Sequence, residues 1–159
     1  MDYISFLSSF WRDKYVRGLP HESKLLYIYL LTNKAVQLTG IYEFLIEDCI
    51  LFTGLEPAEA QAGLLKLRQI PKTGLPKIVL SGDYIFVTSI LRKSFNLPHR
   101  ILSGSIKTYA IKSFGVGNIP SELISYFYQV YGEYMPKPVT EWPEVELINN
   151  DGKPVLEVV

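Results

Sequence analysis

Apolar and polar positions in the first third of the chain recur at helical spacing and predict helices separated by a short strand. Residues 5–12 favour a short helix, because two phenylalanines fall on one face. Residues 20–33 carry apolar side chains nearly all round, which is typical of a central, buried helix. Residues 39–43 predict a turn and a short strand, and residues 45–52 predict a further helix.

A tight turn leads into the next predicted helix, which runs from Pro57 to about Gln69. Gly54 is able to adopt a positive φ as the C-cap of the preceding helix, and a proline suits the first turn of the new one. Glu56 and Glu59 suit the positive end of the helix dipole. The pattern predicts a buried face with Ala58, Ala62, Leu64 and Leu65, and an outward face with Glu59, Gly63, Lys66 and Gln69.

Two β-prone runs follow a loop at residues 71–76 and predict a β-hairpin. Residues 77–80 and residues 84–88 form the two runs, and the turn between them contains Gly82. The predicted order is therefore helix, strand, helix, tight turn, helix and hairpin. This is the order of a winged helix, a helix-turn-helix with a β-hairpin wing. The predicted fold class is mainly α with a small β component, as a winged helix with a C-terminal helical extension.

The remainder of the chain predicts two helices and a tail. A helix at about residues 98–114, interrupted or weakened at Gly104, is joined by a linker at residues 115–118 to a helix at residues 120–131. Residues 136–159 contain four prolines and a pattern typical of a small hairpin around an Asn-Asp-Gly turn. We therefore divide the chain into a winged-helix domain at 1–97, a helical extension at 98–135 and an acidic tail at 136–159.

The composition indicates a globular protein of about one domain. The chain has 159 residues, of which 48% are hydrophobic, and this is enough for a sizeable core. The single cysteine, Cys49, lies in an apolar run, so we expect a buried free thiol and no disulfide framework. The sequence starts without the basic segment of a secretory signal, and no apolar run reaches the roughly 18 residues of a membrane span. We expect a soluble protein of the reducing cytoplasm, with no membrane partner.

Residue types that carry catalysis or bind metals are sparse and poorly spaced. Neither His21 nor His99 has a second histidine or a carboxylate three or four residues away, so the spacing of helical metal ligands is absent. Glu47 and Asp48 are adjacent, point to different faces of a helix and make a poor acid–base pair. No Walker motif, nucleophile elbow or dinucleotide fingerprint occurs. We predict a protein that is not an enzyme and uses no catalytic residue, metal or cofactor.

A formal net charge of zero conceals a basic middle and an acidic end. Residues 60–115 contain nine lysines and arginines and one aspartate, which gives a net charge of +8. Residues 116–159 contain two bases and seven acids, which gives −5. A basic stretch of this kind attracts phosphate, although charged runs are more often a solvated surface. We interpret it as a contact surface for DNA, with the solvated surface as the alternative.

The predicted DNA-binding residues lie at the end of the 57–69 helix, along the hairpin and just after it. In a winged helix the corresponding helix lies in the major groove and the wing lies near the backbone. The bases expected to neutralise phosphates are Lys66, Arg68, Lys72, Lys77, Arg92 and Lys93. The early part of the helix, which usually reads bases, has two acids and no arginine, and only Gln61 offers base-pairing chemistry. This distribution favours contact with the phosphate backbone over sequence readout.

Three stretches of the sequence carry a family resemblance. The first comprises residues 10–13 (Phe-Trp-Arg-Asp) and 19–33, the second comprises residues 40–43 (Gly-Ile-Tyr-Glu) and 52–55 (Phe-Thr-Gly-Leu), and the third runs from Pro98 through Ile119-Pro120 to Gly132. Across residues 8–132 the chain resembles the N-terminal region of phage replisome organisers and of DnaD-type replication initiation proteins. The resemblance implies a winged-helix module that binds DNA, self-associates or scaffolds a primosome, with a helicase or helicase loader as partner. It implies no catalytic residues.

Two other functions stay open at this point. The acidic start of the 57–69 helix and the 11 tyrosines also favour a protein–protein assembly domain without direct DNA binding. A winged-helix transcriptional regulator is the other alternative, and it would prefer one operator by about a thousandfold or more. The acidic tail suggests a further hypothesis, in which residues 136–159 fold back over the basic face and compete with DNA.

Overall fold

The computed structural model describes residues 8–72, 75–95, 97, 101–116 and 118–135. The hairpin predicted in the tail and residues 5–7 of the first predicted helix lie outside these ranges. Within them the chain forms seven α-helices, two 3-10 helices and three β-strands. The α-helices are α1 (Lys14–Arg17), α2 (His21–Thr32), α3 (Ile46–Thr53), α4 (Pro57–Arg68), α5 (Ile90–Phe95), α6 (Gly104–Val116) and α7 (Ser121–Tyr131). The 3-10 helices are Ser8–Arg12 and Gly132–Tyr134, and the strands are β1 (Ile41–Glu43), β2 (Ile78–Ser81) and β3 (Tyr84–Val87).

The order of elements from α2 to β3 confirms the predicted succession of helix, strand, helix, helix and hairpin. The described part of the protein is mainly helical with a small antiparallel sheet, as the sequence predicts. Gly54 ends α3 with a φ of 73°, the left-handed conformation expected of a glycine C-cap. Pro57 opens α4, where the Glu56 N–H donates to the Glu59 carboxylate at 3.1 Å. Local turn chemistry therefore determines the connection between α3 and α4.

The three strands form a sheet with β3 in the centre, in the order β1-β3-β2. Phe86 of β3 lies opposite Ile41 on one side and opposite Val79 on the other. Gly40 precedes β1 with a φ of 81°, and a Cβ there would lie 2.4 Å from the carbonyl oxygen of Val87. Only glycine permits this approach, in which the Val87 N–H donates to the Gly40 carbonyl at 2.8 Å.

The buried face of α4 is rotated about the helix axis relative to the predicted one. The buried residues are Ala60, Gly63, Leu64 and Leu67, whereas Ala58, Ala62 and Leu65 are exposed. Gly63, predicted to face outward, packs against α2, and a Cβ there would lie 2.6 Å from Cδ2 of Leu26. The prediction is wrong for these positions because alanine and glycine give little hydrophobic signal, and close packing between two helices favours glycine at the contact.

The helix predicted from residue 98 starts later than expected. Residues 101–103 lie outside any helix, and α6 begins at Gly104. The Ser103 hydroxyl accepts a hydrogen bond from the Ile106 N–H at 3.4 Å, and the Ser103 carbonyl accepts one from the Lys107 N–H at 3.1 Å. Ser103 is therefore the N-cap of α6. The helix also continues through Val116, so the linker predicted at 115–118 begins too early.

Successive side chains of β3 point to opposite faces of the sheet, and each face contributes to one of two hydrophobic cores in the described ranges. Ile85 and Val87 face a first core around α2, which buries Leu26, Tyr27 and Leu30. Leu25 of α2 is exposed. The prediction that this helix is buried nearly all round is therefore wrong on the side of Leu25.

Phe86 faces the second core, which is built mainly from α6 and α7 and is rich in aromatic rings. Phe127 lies 5.9 Å from Phe86 and 5.0 Å from Phe114, measured between ring centres. The Tyr131 hydroxyl donates to the Thr88 carbonyl, which ties α7 to the end of β3. The helices after residue 97 therefore pack on the outer face of the sheet, and the domain boundary at that point stays a prediction. No helix in the described ranges is long and apolar enough to cross a membrane.

Candidate nucleic-acid interface

The seven predicted DNA-binding residues differ in their exposure to solvent. Five are exposed, namely Gln61, Lys66 and Arg68 on α4, Lys72 in the loop after it, and Arg92 on α5. Lys77, immediately before β2, and Lys93 on α5 are half-buried. The exposed residues are open to a ligand in this conformation, whereas the two half-buried lysines are engaged with protein groups.

Lys77 joins the end of α4 to the start of the hairpin. Its backbone N–H donates to the Leu67 carbonyl at 3.1 Å, and its ammonium lies 4.7 Å from the centre of the Tyr15 ring. Burial lowers the pKa of Lys77, the charge of Asp13 opposes that shift, and the charge of Arg92 adds to it. The lysine is therefore held by packing on an aromatic ring, with the charges of both Asp13 and Arg92 acting on it.

The ammonium group of Lys93 lies inside the protein. Its Nζ is 5.5 Å from the centre of the Tyr27 ring and 5.6 Å from that of Phe10, and it has no hydrogen-bond partner among the described residues. Burial lowers the pKa of Lys93, the charge of Lys77 lowers it further, and Asp13 raises it. In this conformation Lys93 contributes positive charge from beneath the surface and does not itself reach a phosphate.

Lys77, Arg92 and Lys93 form one cluster, because Lys77 lies close enough to each of the others for their charges to interact. The charge of Asp13 acts on both lysines. Its carboxylate also caps α1 by accepting the Tyr15 N–H at 2.8 Å. Sequence reasoning missed Asp13 and Tyr15: an aspartate before a helix signals a cap, but nothing in the sequence places it beside lysines so much later in the chain.

The predicted residues of α4 lie on its solvent-exposed side. Gln61, Leu65 and Arg68 follow one stripe at helical spacing, and Lys66 is exposed beside them. The Tyr15 hydroxyl donates to the Lys66 carbonyl at 3.5 Å, so α1 lies against this end of α4. No hydrogen bond or ion pair within the described ranges joins Lys72 to these residues. We therefore do not count Lys72, which lies in the loop after α4, as part of the surface formed by this helix.

The exposed bases are not neutralised by carboxylates of the described residues. Within those residues the only side-chain ion pair joins His21 to Glu22 at 3.2 Å. Lys66, Arg68 and Arg92 are exposed and form no ion pair with these carboxylates. Surface cations in this state attract anions over distances of about 10 Å at moderate ionic strength.

The described residues contain no cluster of potential metal ligands. They contain no group of three or more histidine, cysteine, aspartate or glutamate side chains that could hold a metal ion. His21 is exposed, and His99 lies outside the described ranges. Cys49 is a buried free thiol, as predicted, and burial raises its pKa to about 11, which makes it a poor nucleophile.

Comparisons with known proteins do not assign the chain to a family. No profile of a protein family, no curated protein and no solved structure matches it significantly. The resemblance to replisome organisers therefore stays a prediction that depends on the three sequence stretches described above.

Proposed function

We propose that this chain is a winged-helix module of DNA replication initiation that holds duplex DNA by its phosphate backbone. The order of elements supports the winged helix, because α2, α3 and α4 are followed by a two-stranded hairpin. The role in replication depends on the resemblance to replisome organisers, which also gives the expected partner, a helicase or helicase loader. The module acts by binding DNA and by associating with other copies, without covalent chemistry.

The observation that carries the proposal is a set of exposed cations next to the hairpin. Lys66 and Arg68 lie in the last turn of α4, and the bond from Lys77 to the Leu67 carbonyl holds the start of the hairpin beside them. Arg92 adds a further exposed charge that interacts with Lys77. A duplex along this surface would meet exposed cations from α4 and α5, with the hairpin held beside them, and such contacts fix orientation without reading sequence.

The start of α4 supports contact with the backbone more than readout of bases. Its exposed side chains are Pro57, Ala58, Gln61 and Ala62, of which only the glutamine has the donor and acceptor pair that recognises a base edge. Glu59 lies in the same turn, and its charge repels DNA. We therefore infer that affinity varies little between duplex sequences.

Fluorescence anisotropy with a short random-sequence duplex tests the proposed surface. Changing Lys66→Ala together with Arg68→Ala removes two exposed cations and should weaken binding roughly tenfold to thirtyfold at about 50 mM salt. The matched control, Lys34→Ala with Lys112→Ala, removes the same charge from exposed positions outside the proposed surface and should bind close to wild type. An equal loss in both double variants would mean that net charge alone accounts for binding, and the proposed surface would be wrong.

The apolar surface of α3 favours an alternative function, a protein–protein assembly domain. Leu51 and Phe52 are 74% and 64% exposed, and neighbouring apolar side chains in water often mark an interface. A pure assembly domain would bind neither duplex nor single-stranded DNA at about 50 mM salt, where phosphate contacts are strong. The titration of the wild-type protein therefore separates the two functions. Footprinting distinguishes a transcriptional regulator from both of these functions, because a regulator would prefer one operator by about a thousandfold or more.

A further inference from the structure

A pocket of about 300 Å³ lies among residues of α2, β1 and α3. Its lining includes four aromatic side chains, Tyr29, Tyr42, Phe44 and Phe52. The Tyr42 hydroxyl donates to a backbone carbonyl of α2 at 2.6 Å and accepts from the Asn33 amide at 3.0 Å, which fixes one wall. The rings of Tyr29 and Phe52 stack with their centres 6.5 Å apart. A preformed, aromatic pocket of this size suits a single large side chain.

The rim of this aromatic pocket is acidic. Glu43 and Asp48 line it, and Glu47 is exposed in the same first turn of α3 as Asp48. Lys34 is the one base among the described lining residues. Leu45 adds an apolar edge that is 46% exposed. An aromatic centre with an acidic rim selects an apolar or aromatic side chain flanked by bases.

A surface of this description lies on the same chain, around Trp11. The Trp11 side chain is 59% exposed, and Arg12, Lys14 and Arg17 are exposed in the residues that follow. The Phe10 ring packs edge-on against the indole with centres 5.1 Å apart and supports it from one side. The chain therefore presents a large aromatic side chain with a basic surround and, elsewhere, an aromatic pocket with an acidic rim.

We propose that Trp11 of one copy inserts into the aromatic pocket of a second copy, with the bases of α1 facing the acidic rim. Tryptophan and arginine are the residues that most often dominate binding energy at protein interfaces. Charge selects Trp11 over the other tryptophan of the chain, Trp142, because Trp142 stands between Glu141 and Glu144, which have the same sign as the rim.

The proposed contact joins two different surfaces, so copies associate head to tail. An open assembly keeps one free Trp11 surface at one end and one free pocket at the other, whereas a closed ring leaves neither free. The contact uses none of the residues proposed to bind DNA, and it rests on the proposed function in that it gives a geometry to the self-association included there. Self-association should therefore persist in the Lys66→Ala and Arg68→Ala double variant even where duplex binding is lost.

Complementation between two variants tests the contact. Trp11→Ala removes the inserted side chain, and Leu45→Arg places a bulky cation at the edge of the pocket, where it repels the incoming bases. Each variant alone should self-associate at least about thirtyfold more weakly than wild type in sedimentation velocity over a concentration series. An equal mixture should associate again and stop at the dimer, because one intact Trp11 and one intact pocket remain in each pair.

Matched controls change exposed apolar residues outside both surfaces. Ile101→Ala and Ile111→Arg alter side chains that are 91% and 41% exposed, and both should associate like wild type. Circular dichroism and thermal unfolding establish whether each variant is folded.

A second pair of variants avoids changes in apolar surface. Lys14→Glu and Asp48→Lys should each weaken self-association, and the two changes in one chain should restore it. The proposal is overturned by a wild type that stays monomeric at high concentration. It is also overturned by folded Trp11→Ala and Leu45→Arg variants that fail to complement, or by association that Trp11→Ala leaves unchanged.

Discussion

Replacing Gly63 by alanine should destabilise the protein, although alanine is the better helix former. A Cβ at this position would lie 2.6 Å from Cδ2 of Leu26 and 3.6 Å from its Cβ. Leu26 is fully buried, so its side chain has no open space to move into. Overpacking a core costs about 1–3 kcal/mol, and exchanging glycine for alanine inside a helix gains about 1 kcal/mol. We expect a net loss of about 1 kcal/mol in the free energy of unfolding.

Urea unfolding followed by circular dichroism measures this loss. Gly115→Ala in α6 is the matched control, because a Cβ there meets no atom of the described residues within 4 Å beyond its chain neighbours and its own helix, and it should be neutral or slightly stabilising. Leu26→Ala removes the obstructing methyl, so in that background Gly63→Ala should no longer destabilise. A Gly63→Ala protein as stable as wild type, or the same loss in both backgrounds, would refute close packing of α4 on α2.

Three further predictions concern ionisation, reactivity and the tail. Burial raises the pKa of Tyr131 to about 12 and also raises those of Tyr27 and Tyr42, so above about pH 10 the unfolded chain loses these protons first. Stability should fall by about 1.4 kcal/mol per pH unit for each of these tyrosines, and equal urea midpoints at about pH 9 and 11 would contradict this. The Cys49 thiol is buried, and burial raises its pKa to about 11. A disulfide reagent should therefore label Cys49 only after unfolding, and rapid labelling of the native protein would contradict its burial. Deleting residues 136–159 should tighten duplex binding if the acidic tail competes with DNA, and unchanged affinity would count against competition.

The connections between elements could be predicted because their signals act over a few residues. Gly54 and Pro57 specify the end of α3 and the start of α4, and each does so through its own backbone conformation. The hairpin is equally local, since the turn at Gly82 lies between two β-prone runs. The buried face of α4 could not be predicted from the hydrophobic pattern. Gly63 is buried because its lack of a side chain allows close packing against Leu26, and a hydrophobic pattern carries no signal for this.

The candidate surface was predictable in its charge and not in its geometry. The sequence identifies which residues are basic, but the burial of the Lys93 ammonium depends on Phe10 and Tyr27 from distant parts of the chain. The packing of Lys77 on Tyr15 has the same origin. These contacts arise from tertiary packing, which a single sequence does not specify. The aromatic pocket could not be predicted from the sequence either, because its lining residues come from three separate elements.

The salt dependence of duplex affinity tests phosphate contact most directly. Each neutralised phosphate contributes about −0.9 to the slope of log K against log salt concentration. The three exposed bases of the proposed surface, Lys66, Arg68 and Arg92, therefore predict a slope of about −2.7 for wild type and about −0.9 for the Lys66→Ala and Arg68→Ala double variant. A wild-type slope near zero, or the same slope in the double variant, would contradict the proposed contacts between these bases and DNA phosphates.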